Sequence, residues 1–389
     1  MTAITASELK DRLAGLEPIG LGERGTNRLA WTGELAAAEE WFRQQARGAS
    51  LRVERDPAGS LWAVPDAPGP WWATGSHLDS VRGGGRYDGA LGVAAGFAVA
   101  ERVPRVAVIA FADEEGARFN TPTFGSRALT GRLDVGDVLG RVDDDGVLLA
   151  DAMRSAGADP YRLGDAPAWL DRLRGFVELH IDQTRELERL GAPAGAVRSL
   201  AARMRLALTF VGRADHAGTT RRGERRDALA AAARVIVAAD ELAGGDDDFL
   251  VTSSRLFVEP NAFTTVPSRV RLWIDARTPD GERLSEWRDL LSQRARELAE
   301  RTGIEIELAT ASHSDGVEFD ARVLAAMPGL PELVCFAGHD AGILAPRVPA
   351  GMVFVRNATG VSHAPDEHVE LADAAVAAEA LRATLEALA

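Results

Sequence analysis

The chain lacks several features that would assign it to common protein classes. Only one of its 389 residues, Cys335, is a cysteine, so no intrachain disulfide can form, which fits a reducing compartment. No apolar run is long enough to span a bilayer. The first residues have neither the basic nor the apolar region of a secretory leader. We therefore expect a cytoplasmic protein with no membrane partner.

Positive charge is also scarce. The chain has 44 lysines and arginines against 58 aspartates and glutamates, a formal net charge of −14, and it has no basic run. Nucleic acid and anionic membranes are therefore poor candidate partners. Hydrophobic residues make up 46% of the chain, enough for a large core, and the length favours two domains.

Histidine is rare too, with seven in the chain, yet three of the seven follow strand-like apolar runs and have acidic neighbours. His77 follows the run at 71–76, His180 ends the run at 176–180, and His363 lies shortly after the run at 351–355. Asp88 follows a glycine-rich loop and precedes a predicted helix at 89–102, and the pair Glu114-Glu115 follows the apolar run at 106–111. Open α/β sheets keep their sites at the carboxyl edge, so we expect these side chains to meet there.

Imidazole and carboxylate groups are the ligands of zinc and related divalent metals. Three of them are enough for one ion, so a larger set favours two metals bridged by a carboxylate. Neighbouring side chains at a strand end point in opposite directions. One carboxylate of Glu114-Glu115 can therefore bind metal while the other transfers protons. These patterns predict a metal-dependent hydrolase.

The periodicity predicts one α/β domain interrupted by an insert. Residues 1–202 and 314–389 form the predicted catalytic, metal-binding domain. Within 203–313 the pattern predicts strands at 204–211, 250–258, 270–276 and 304–308 and helices at 227–242 and 281–301. That β-α-β-β-α-β order is ferredoxin-like.

Seven motifs, in the same order along both predicted domains, resemble a known family. The chain is similar to the dinuclear metallo-amidohydrolases of the aminoacylase and carboxypeptidase-G clan. Within the clan it most resembles N-carbamoyl-L-amino-acid hydrolases, allantoate amidohydrolases and β-ureidopropionases. The matching segments lie at 75–80, 84–93, 113–119, 178–183, 216–220, 338–341 and 362–367.

The resemblance implies a mixed-sheet, two-metal aminopeptidase-like catalytic domain and a ferredoxin-like α+β insert that serves as dimerisation and lid domain. It implies a homodimer and two divalent ions per subunit, for which zinc, manganese, cobalt and nickel all remain open. His77 and His180 would bind one metal. Glu115 and His363 would bind the other, and Asp88 would bridge the two.

Further roles are carried over from the family position by position. Glu114 matches the general base, and Asp79 matches the carboxylate that orients His77. His216 matches a residue that reaches the partner subunit's site and stabilises the oxyanion. Arg277 matches the arginine that holds the substrate carboxylate, and Gln183 a polar substrate contact.

The substrate-binding positions depart from the family pattern. Thr264 stands where a substrate-binding asparagine is expected, and Asn261 only partly compensates for it. The expected activity is hydrolysis of an amide or ureido C–N bond in a small carboxylate-bearing substrate of the N-carbamoyl-amino-acid type. The alternatives are an N-acyl-amino-acid or dipeptide hydrolase of the same clan and a non-catalytic dimeric binding protein.

Overall fold

The computed structural model describes residues 2–389, which form two compact units. The first unit contains the chain up to Arg198 together with Glu318–Leu333 and Ala337–Ala389. The second contains Ser199–Val317 and Val334–Phe336. It therefore includes the predicted insert 203–313, reaches a few residues beyond it at each end, and takes in a short segment from the C-terminal part.

The first stretch of the chain contributes eight strands and seven α-helices to the described structure. The strands are β1 (Leu21–Gly22), β2 (Gly25–Thr26), β3 (Arg52–Arg55), β4 (Leu61–Val64), β5 (Trp71–His77), β6 (Val106–Phe111), β7 (Leu173–Ile181) and β8 (Ala194–Leu200). The helices are α1 (Ala6–Ala14), α2 (Gly33–Gly48), α3 (Ala90–Ala100), α4 (Phe124–Leu129), α5 (Val135–Val138), α6 (Leu149–Ser155) and α7 (Glu186–Leu190). A 3₁₀ helix, Pro160–Arg172, precedes β7.

The second unit is a four-stranded antiparallel sheet with two helices on one face. Its elements are β9 (Ala202–Val211), β10 (Asp215–His216), α8 (Ala228–Ala243), β11 (Leu250–Glu259), β12 (Thr265–Val266), β13 (Arg269–Thr278), α9 (Gly281–Thr302) and β14 (Glu305–Ser314). The sheet order is β11-β13-β9-β14. Alternate residues of β9 and β13 are buried, and they pack against α8 and α9 in one core.

The chain then completes the first unit. The remaining elements are β15 (Val317–Glu318), α10 (Ala321–Ala325), β16 (Glu332–Cys335), α11 (Asp340–Leu344), β17 (Ala350–Val355) and α12 (Leu371–Leu388). They complete a nine-stranded sheet with the order β15-β8-β17-β7-β5-β6-β4-β3, in which β16 also pairs with β8. The central strands β17, β7, β5 and β6 are parallel. Strand β8 pairs antiparallel with β17, β4 with β6 and β3 with β4. This mixed α/β sheet confirms that part of the fold prediction.

The core is built around α3, which is apolar on all sides. Every residue from Ala90 to Val99 is buried, and α3 packs on β5, β6 and β7. A helix that is apolar all round must be buried, so the sequence of α3 fixes it against the sheet. Asp88 comes just before this helix, and its place at the carboxyl edge follows from that packing.

The segment between β6 and β7 contains helices that the sequence analysis does not predict. It contains α4, α5 and α6, and their apolar side chains form a separate core with Trp31 and Phe119. These helices have four to seven residues, too few for a helical period to be recognised in sequence. Within residues 2–389, no helix is long and apolar enough to cross a membrane.

Gly75, in β5, is required by the close approach of β6. Its φ is +136°, and a Cβ there would lie 1.9 Å from the carbonyl oxygen of Ile109. We expect Gly75→Ala to lower the free energy of unfolding by about 2–5 kcal/mol, through backbone strain and overpacking together. Urea unfolding measures this.

Gly48→Ala is the matched control for this prediction, because a Cβ at Gly48 in α2 would meet nothing within 4 Å. That change should leave stability unchanged or raise it by up to about 1 kcal/mol. Equal stability of the Gly75→Ala variant and the wild type would show that the strand contact is not the constraint described.

Candidate metal centre

The ends of β5 and β7 bring two imidazoles to one carboxylate oxygen. His77 is the last residue of β5, and His180 lies at the same level of the sheet near the end of β7. The Nε2 atom of His77 lies 3.3 Å from Oδ1 of Asp88. The Nε2 atom of His180 lies 3.0 Å from the same oxygen. All three side chains are buried.

The other oxygen of Asp88 faces a second set of groups. His363 Nε2 lies 3.5 Å from Asp88 Oδ2 and 3.4 Å from Glu115 Oε2. His363 has a φ of 58°, a left-handed conformation that non-glycine residues adopt rarely and most often at functional sites. Asp88 thus belongs to two groups of potential metal ligands. Within each group, the ligand atoms all lie within 4.8 Å of one another. One group also contains His77 and His180, and the other contains Glu115 and His363.

The tautomers of both buried histidines suit a cation. The Nδ1 atom of His77 lies 3.1 Å from the carbonyl oxygen of Asp79, and that of His180 lies 3.0 Å from the carbonyl of Ile181. A carbonyl only accepts, so Nδ1 carries the proton and Nε2 turns its lone pair towards the Asp88 carboxylate. His180 Nε2 has no hydrogen-bond partner. The lone pairs of these Nε2 atoms and of Asp88 Oδ1 repel each other unless a positive charge lies between them. A divalent metal ion would supply that charge.

The electrostatics of the buried groups favour positive charge at the same place. Burial lowers the pKa of His77, but Asp88 and the other nearby carboxylates raise it well above its usual value. Burial raises the pKa of Asp88, but the charges of His180 and His77 beside it bring it well below its usual range. Such mutual shifts are typical of functional sites.

Asp79 holds the turn that carries Glu114 and Glu115. Its Oδ1 accepts the backbone N–H of Glu114 at 3.2 Å, and its Oδ2 accepts that of Glu115 at 3.0 Å. The Asp79 carboxylate is expected to orient His77, and this role remains a prediction. Its Oδ1 lies 3.7 Å from Nδ1 of His77, and the main-chain carbonyl of Asp79 lies closer, at 3.1 Å.

Glu114 and Glu115 then reach different sides of the site. Glu114 Oε2 lies 3.8 Å from Nε2 of His77, whereas Glu115 approaches His363. Burial, together with other acidic groups, raises the pKa of Glu114 well above its usual value and that of Glu115 to about 8. Glu115 Oε1 is buried without a partner. A cation at the site would lower both pKa values.

The position of Asp88 is fixed by groups that the sequence reading did not assign. Glu367 Oε1 accepts the N–H groups of Tyr87 and Asp88 at 2.8 and 3.0 Å. Gln183 Nε2 and Ser362 Oγ each donate to Asp88 Oδ2 at 3.1 Å. Gln183 is expected to contact substrate, and this role remains a prediction; its Nε2 also lies 3.2 Å from Ser362 Oγ. Glu367 is the last residue of the motif at 362–367, and that motif is the sequence signal that could have identified it.

Arg28 was also missed, and no local motif identifies it. It is 1% exposed and is the only arginine or lysine among the buried residues of 2–389. Its Nε donates to the carbonyl of Leu78 at 2.8 Å, between His77 and Asp79. Burial lowers its pKa to about 10, so it remains charged at neutral pH and supports the β5 end of an acidic site.

The remaining predicted residues lie in the second compact unit. His216 is exposed, and its Nδ1 accepts the N–H of Gly218 at 3.0 Å. Thr264 and Asn261 are exposed in the loop between β11 and β12. Arg277, in β13, donates from Nε to Asp275 at 2.7 Å and from Nη1 to the carbonyl of Phe336 at 2.6 Å. Their predicted roles remain predictions.

Comparison with known proteins identifies the family. The model of peptidase family M20/M25/M40 matches residues 63–387. The chain belongs to this family. The resemblance found in the motifs is thereby confirmed, and with it the prediction of a hydrolase.

Relatives of this M20/M25/M40 member match over almost their whole length. An N-carbamoyl-L-amino acid amidohydrolase of Geobacillus stearothermophilus is 36% identical, with 98% of each chain covered. An allantoate amidohydrolase of Escherichia coli is 30% identical over 96% of this chain and 95% of the relative. The crystal structure of an amidase of the hydantoinase/carbamoylase family from Burkholderia multivorans has a TM-score of 0.88 at 28% identity, covering 98% and 97% of the two chains.

The contact between Gly85 and Glu367 predicts a sensitive position in this M20/M25/M40 site. A Cβ on Gly85 would lie 2.1–2.4 Å from the carboxylate atoms of Glu367. Gly85→Ala should therefore displace Glu367, release the amides of Tyr87 and Asp88, and weaken divalent metal binding by about 10- to 100-fold. Metal bound per chain at buffered free metal concentrations measures this.

Gly164→Ala serves as the control, because a Cβ at Gly164 would meet nothing within 4 Å. This variant should bind metal as the wild type does. Unchanged metal affinity in the Gly85→Ala variant would mean that Glu367 does not position Asp88.

Proposed function

We propose that the protein is a two-metal amidohydrolase that cleaves a C–N bond of a ureido acid of the N-carbamoyl-amino-acid type. The observation that carries this proposal is the Asp88 carboxylate, with one oxygen facing His77 and His180 and the other facing His363 near Glu115. The names of the relatives, carbamoyl-amino-acid and allantoate amidohydrolases, supply the substrate class.

In this proposal, His77 and His180 would hold one divalent ion, Glu115 and His363 would hold the other, and Asp88 would contribute a carboxylate oxygen to each. The buried, unpartnered atoms His180 Nε2 and Glu115 Oε1 support this ligand set. Zinc, manganese, cobalt and nickel all suit imidazole with carboxylate. When bound, such a metal pair lowers the pKa of a water molecule and polarises the substrate carbonyl.

Glu114 acts as the general base. It removes a proton from the attacking water and delivers it to the leaving nitrogen. Its burial and the distance of 3.8 Å between its Oε2 and Nε2 of His77 support this role, because they place the carboxylate beside the candidate ligands. Hydrolysis of the ureido group with one water yields the amino acid, ammonia and carbon dioxide.

Arg277 binds the substrate carboxylate through its planar guanidinium group. Asp275 holds its Nε, and the Phe336 carbonyl accepts from its Nη1. These contacts fix the orientation of the group and leave Nη2 for the ligand. Thr264 offers a hydroxyl but no planar amide, so it cannot copy the two-point contact of asparagine. This departure favours the N-acyl-amino-acid hydrolase as the second candidate.

A homodimer formed through the second unit completes the proposal. β11 is an edge strand of ten residues, nearly all exposed, and Leu250, Leu256 and Phe257 on it are 41–46% exposed. Such an edge is a template for pairing with a second chain.

In this dimer, His216 would reach the partner subunit's site. Because its Nδ1 accepts from Gly218, its Nε2–H is free to donate to an oxyanion. Sedimentation of the active protein at the mass of one chain would contradict the dimer.

Activity on ureido acids tests the function. Purified protein loaded with manganese, cobalt, nickel or zinc should release ammonia from N-carbamoyl amino acids, chelation should abolish this, and added metal should restore it. The matched N-acetyl and N-formyl amino acids, assayed by release of the amino acid, distinguish this activity from that of an N-acyl-amino-acid hydrolase. Asp88→Asn is the negative control, since the bridging carboxylate serves both metals. Active protein without any divalent ion would contradict the metal mechanism. Metal-loaded protein inactive on every amide would favour a binding protein.

Glu114 lies beside His77, whereas Glu115 lies beside His363. We therefore expect the isosteric glutamine variants of the two residues to behave differently. Glu114→Gln should lower kcat by about 10²- to 10⁴-fold while both metals stay bound. Glu115→Gln should instead lose metal, because an amide is a weaker ligand than a carboxylate. Elemental analysis and steady-state kinetics on the same preparations measure both properties. If the two variants carry the same amount of metal, the assignment of base and ligand is wrong.

A further inference from the structure

The sheet of the second unit carries a pair of arginines on the face that points away from α8 and α9. Buried positions alternate with more exposed ones along β9 and β13, and Arg203 and Arg277 both lie on the more exposed face. The register of the two strands places them directly opposite each other. Directly opposed side chains have Cβ atoms about 4.5–5.5 Å apart, and like charges in such positions repel each other. The pair is therefore unfavourable unless negative charge lies beside it.

The protein carboxylate beside this pair is engaged with other donors. Asp275 accepts a hydrogen bond from Nε of Arg277 at 2.7 Å and one from Nε of Arg205 at 2.8 Å. Nη1 of Arg277 donates to the carbonyl of Phe336 at 2.6 Å. The Nε atom of Arg203 is buried and has no hydrogen-bond partner. Three guanidinium groups therefore lie around one carboxylate, and Arg203 is the one that is not paired with it.

The charge of Arg203 is costly where it lies. The residue is half-buried. Burial lowers the pKa of its guanidinium, the positive charges of Arg205 and Arg277 lower it further, and Asp275 raises it. Arginine nevertheless stays charged in proteins, so a positive charge is retained in a partly desolvated place. The chain has a net charge of −14, and a shortage of acidic residues therefore does not explain the missing partner.

A hydroxyl on the same face also lacks a partner. The register of β9 with β14 places Ser312 opposite Arg205 and Ser314 opposite Arg203, and Ser312 Oγ is buried without a hydrogen-bond partner. On the other side of Arg277, the opposed residue of β11 is Leu250, which offers no hydrogen bond. Unsatisfied donors thus lie on the Arg203 side of Arg277, and they suit an anionic ligand rather than a neutral one.

We propose that Arg203 determines substrate specificity by binding a second negatively charged group of the substrate. The preferred substrate is then the N-carbamoyl derivative of an acidic amino acid. This inference rests on the proposed function, in which Arg277 binds the α-carboxylate of the substrate. In aspartate one methylene group separates the α-carbon from the second carboxylate, and in glutamate two do. Both carboxylates can therefore lie against neighbouring guanidinium groups at the same time.

The balance of charge on this face supports a dicarboxylate. Arg203, Arg205 and Arg277 carry three positive charges, and Asp275 carries one negative charge. A monocarboxylate would leave one guanidinium without a counter-charge, whereas a dicarboxylate supplies the two negative charges that are missing. A site that presents unpaired charged donors rejects a neutral analogue strongly, because those donors then stay unpaired. Arg203 would thus favour acidic over neutral amino-acid side chains.

The test compares substrates that differ only in the charge at the proposed contact. N-carbamoyl-aspartate is compared with N-carbamoyl-asparagine, and N-carbamoyl-glutamate with N-carbamoyl-glutamine, on the metal-loaded protein. The wild type should have a kcat/KM about tenfold or more higher for the acidic member of at least one pair. Arg203→Gln should remove this preference, mainly by raising KM for the acidic substrate. Arg203→Lys keeps the charge and should recover part of the preference.

Arg269→Gln is the matched control for Arg203→Gln. Arg269 lies on the same face of the sheet, opposite Val211 near the other end of β13, and is roughly 27 Å from Arg277 along the extended strand. The control removes the same charge and should leave the substrate preference unchanged. Metal per chain should equal that of the wild type in all variants. The melting temperature of Arg203→Gln should be unchanged or higher, because the repulsion between opposed arginines is removed.

The outcomes distinguish this proposal from the proposed function. If the wild type hydrolyses acidic and neutral carbamoyl amino acids equally well, only this proposal is overturned. An equal loss of activity on both members of a pair in Arg203→Gln also overturns it, since Arg203 would then act on the α-carboxylate alone. If no carbamoyl compound is hydrolysed, the proposed function fails. Calorimetric binding of N-carbamoyl-aspartate and N-carbamoyl-asparagine then decides the role of Arg203, and equal affinities in the wild type overturn it.

Discussion

The candidate site depends on the orientation of one carboxylate, that of Asp88. Its two oxygens face two separate sets of nitrogen and oxygen atoms, and a small rotation would remove it from one of them. The protein restrains it by main chain and side chain together. Glu367 holds the amide of Asp88, Gln183 and Ser362 donate to its Oδ2, and the packing of α3 fixes the chain that follows. A preorganised site of this kind needs its supporting contacts as much as its ligands.

A second constraint is the cost of burying acidic groups. Asp79, Asp88, Asp113, Glu114, Glu178, Asp340 and Glu367 are all buried, and Arg28 is the only buried arginine or lysine in residues 2–389. Unpaired buried charge is strongly unfavourable, so such groups are paired, protonated or bound to metal. Burial and mutual repulsion raise the pKa of Asp113, Glu114 and Asp340 well above the usual range. This density of acceptors explains why cations, and donor-rich ligands such as ureido groups, suit the site.

The sequence allowed much of this arrangement to be predicted, because the signals are local. His77, Glu115, His180 and His363 were recognised near the ends of apolar strands and Asp88 directly before an apolar helix, and the structure brings these side chains together. In the second unit the predicted strands and helices agree with β9, α8, β11, β13 and α9 within about two residues. In β9 and β13 the reason is that buried positions alternate regularly over ten residues. The helices α4 to α6 were missed because each is shorter than two turns.

The sequence by itself determined which residues carry the chemistry and roughly where the strands end, because ligand type and apolar periodicity are properties of neighbouring residues. Tertiary structure alone decided which residues hold the site residues in place through hydrogen bonds. The Asp79 carboxylate accepts from the amides of the Glu114-Glu115 turn while its carbonyl contacts His77. Gln183 donates to Asp88, Arg28 donates to the carbonyl of Leu78 from 50 residues away, and the ring nitrogens of His339 have no partner. A hydrogen bond depends on distances and angles between atoms brought together by packing, and residues far apart in the chain leave no local pattern that specifies them.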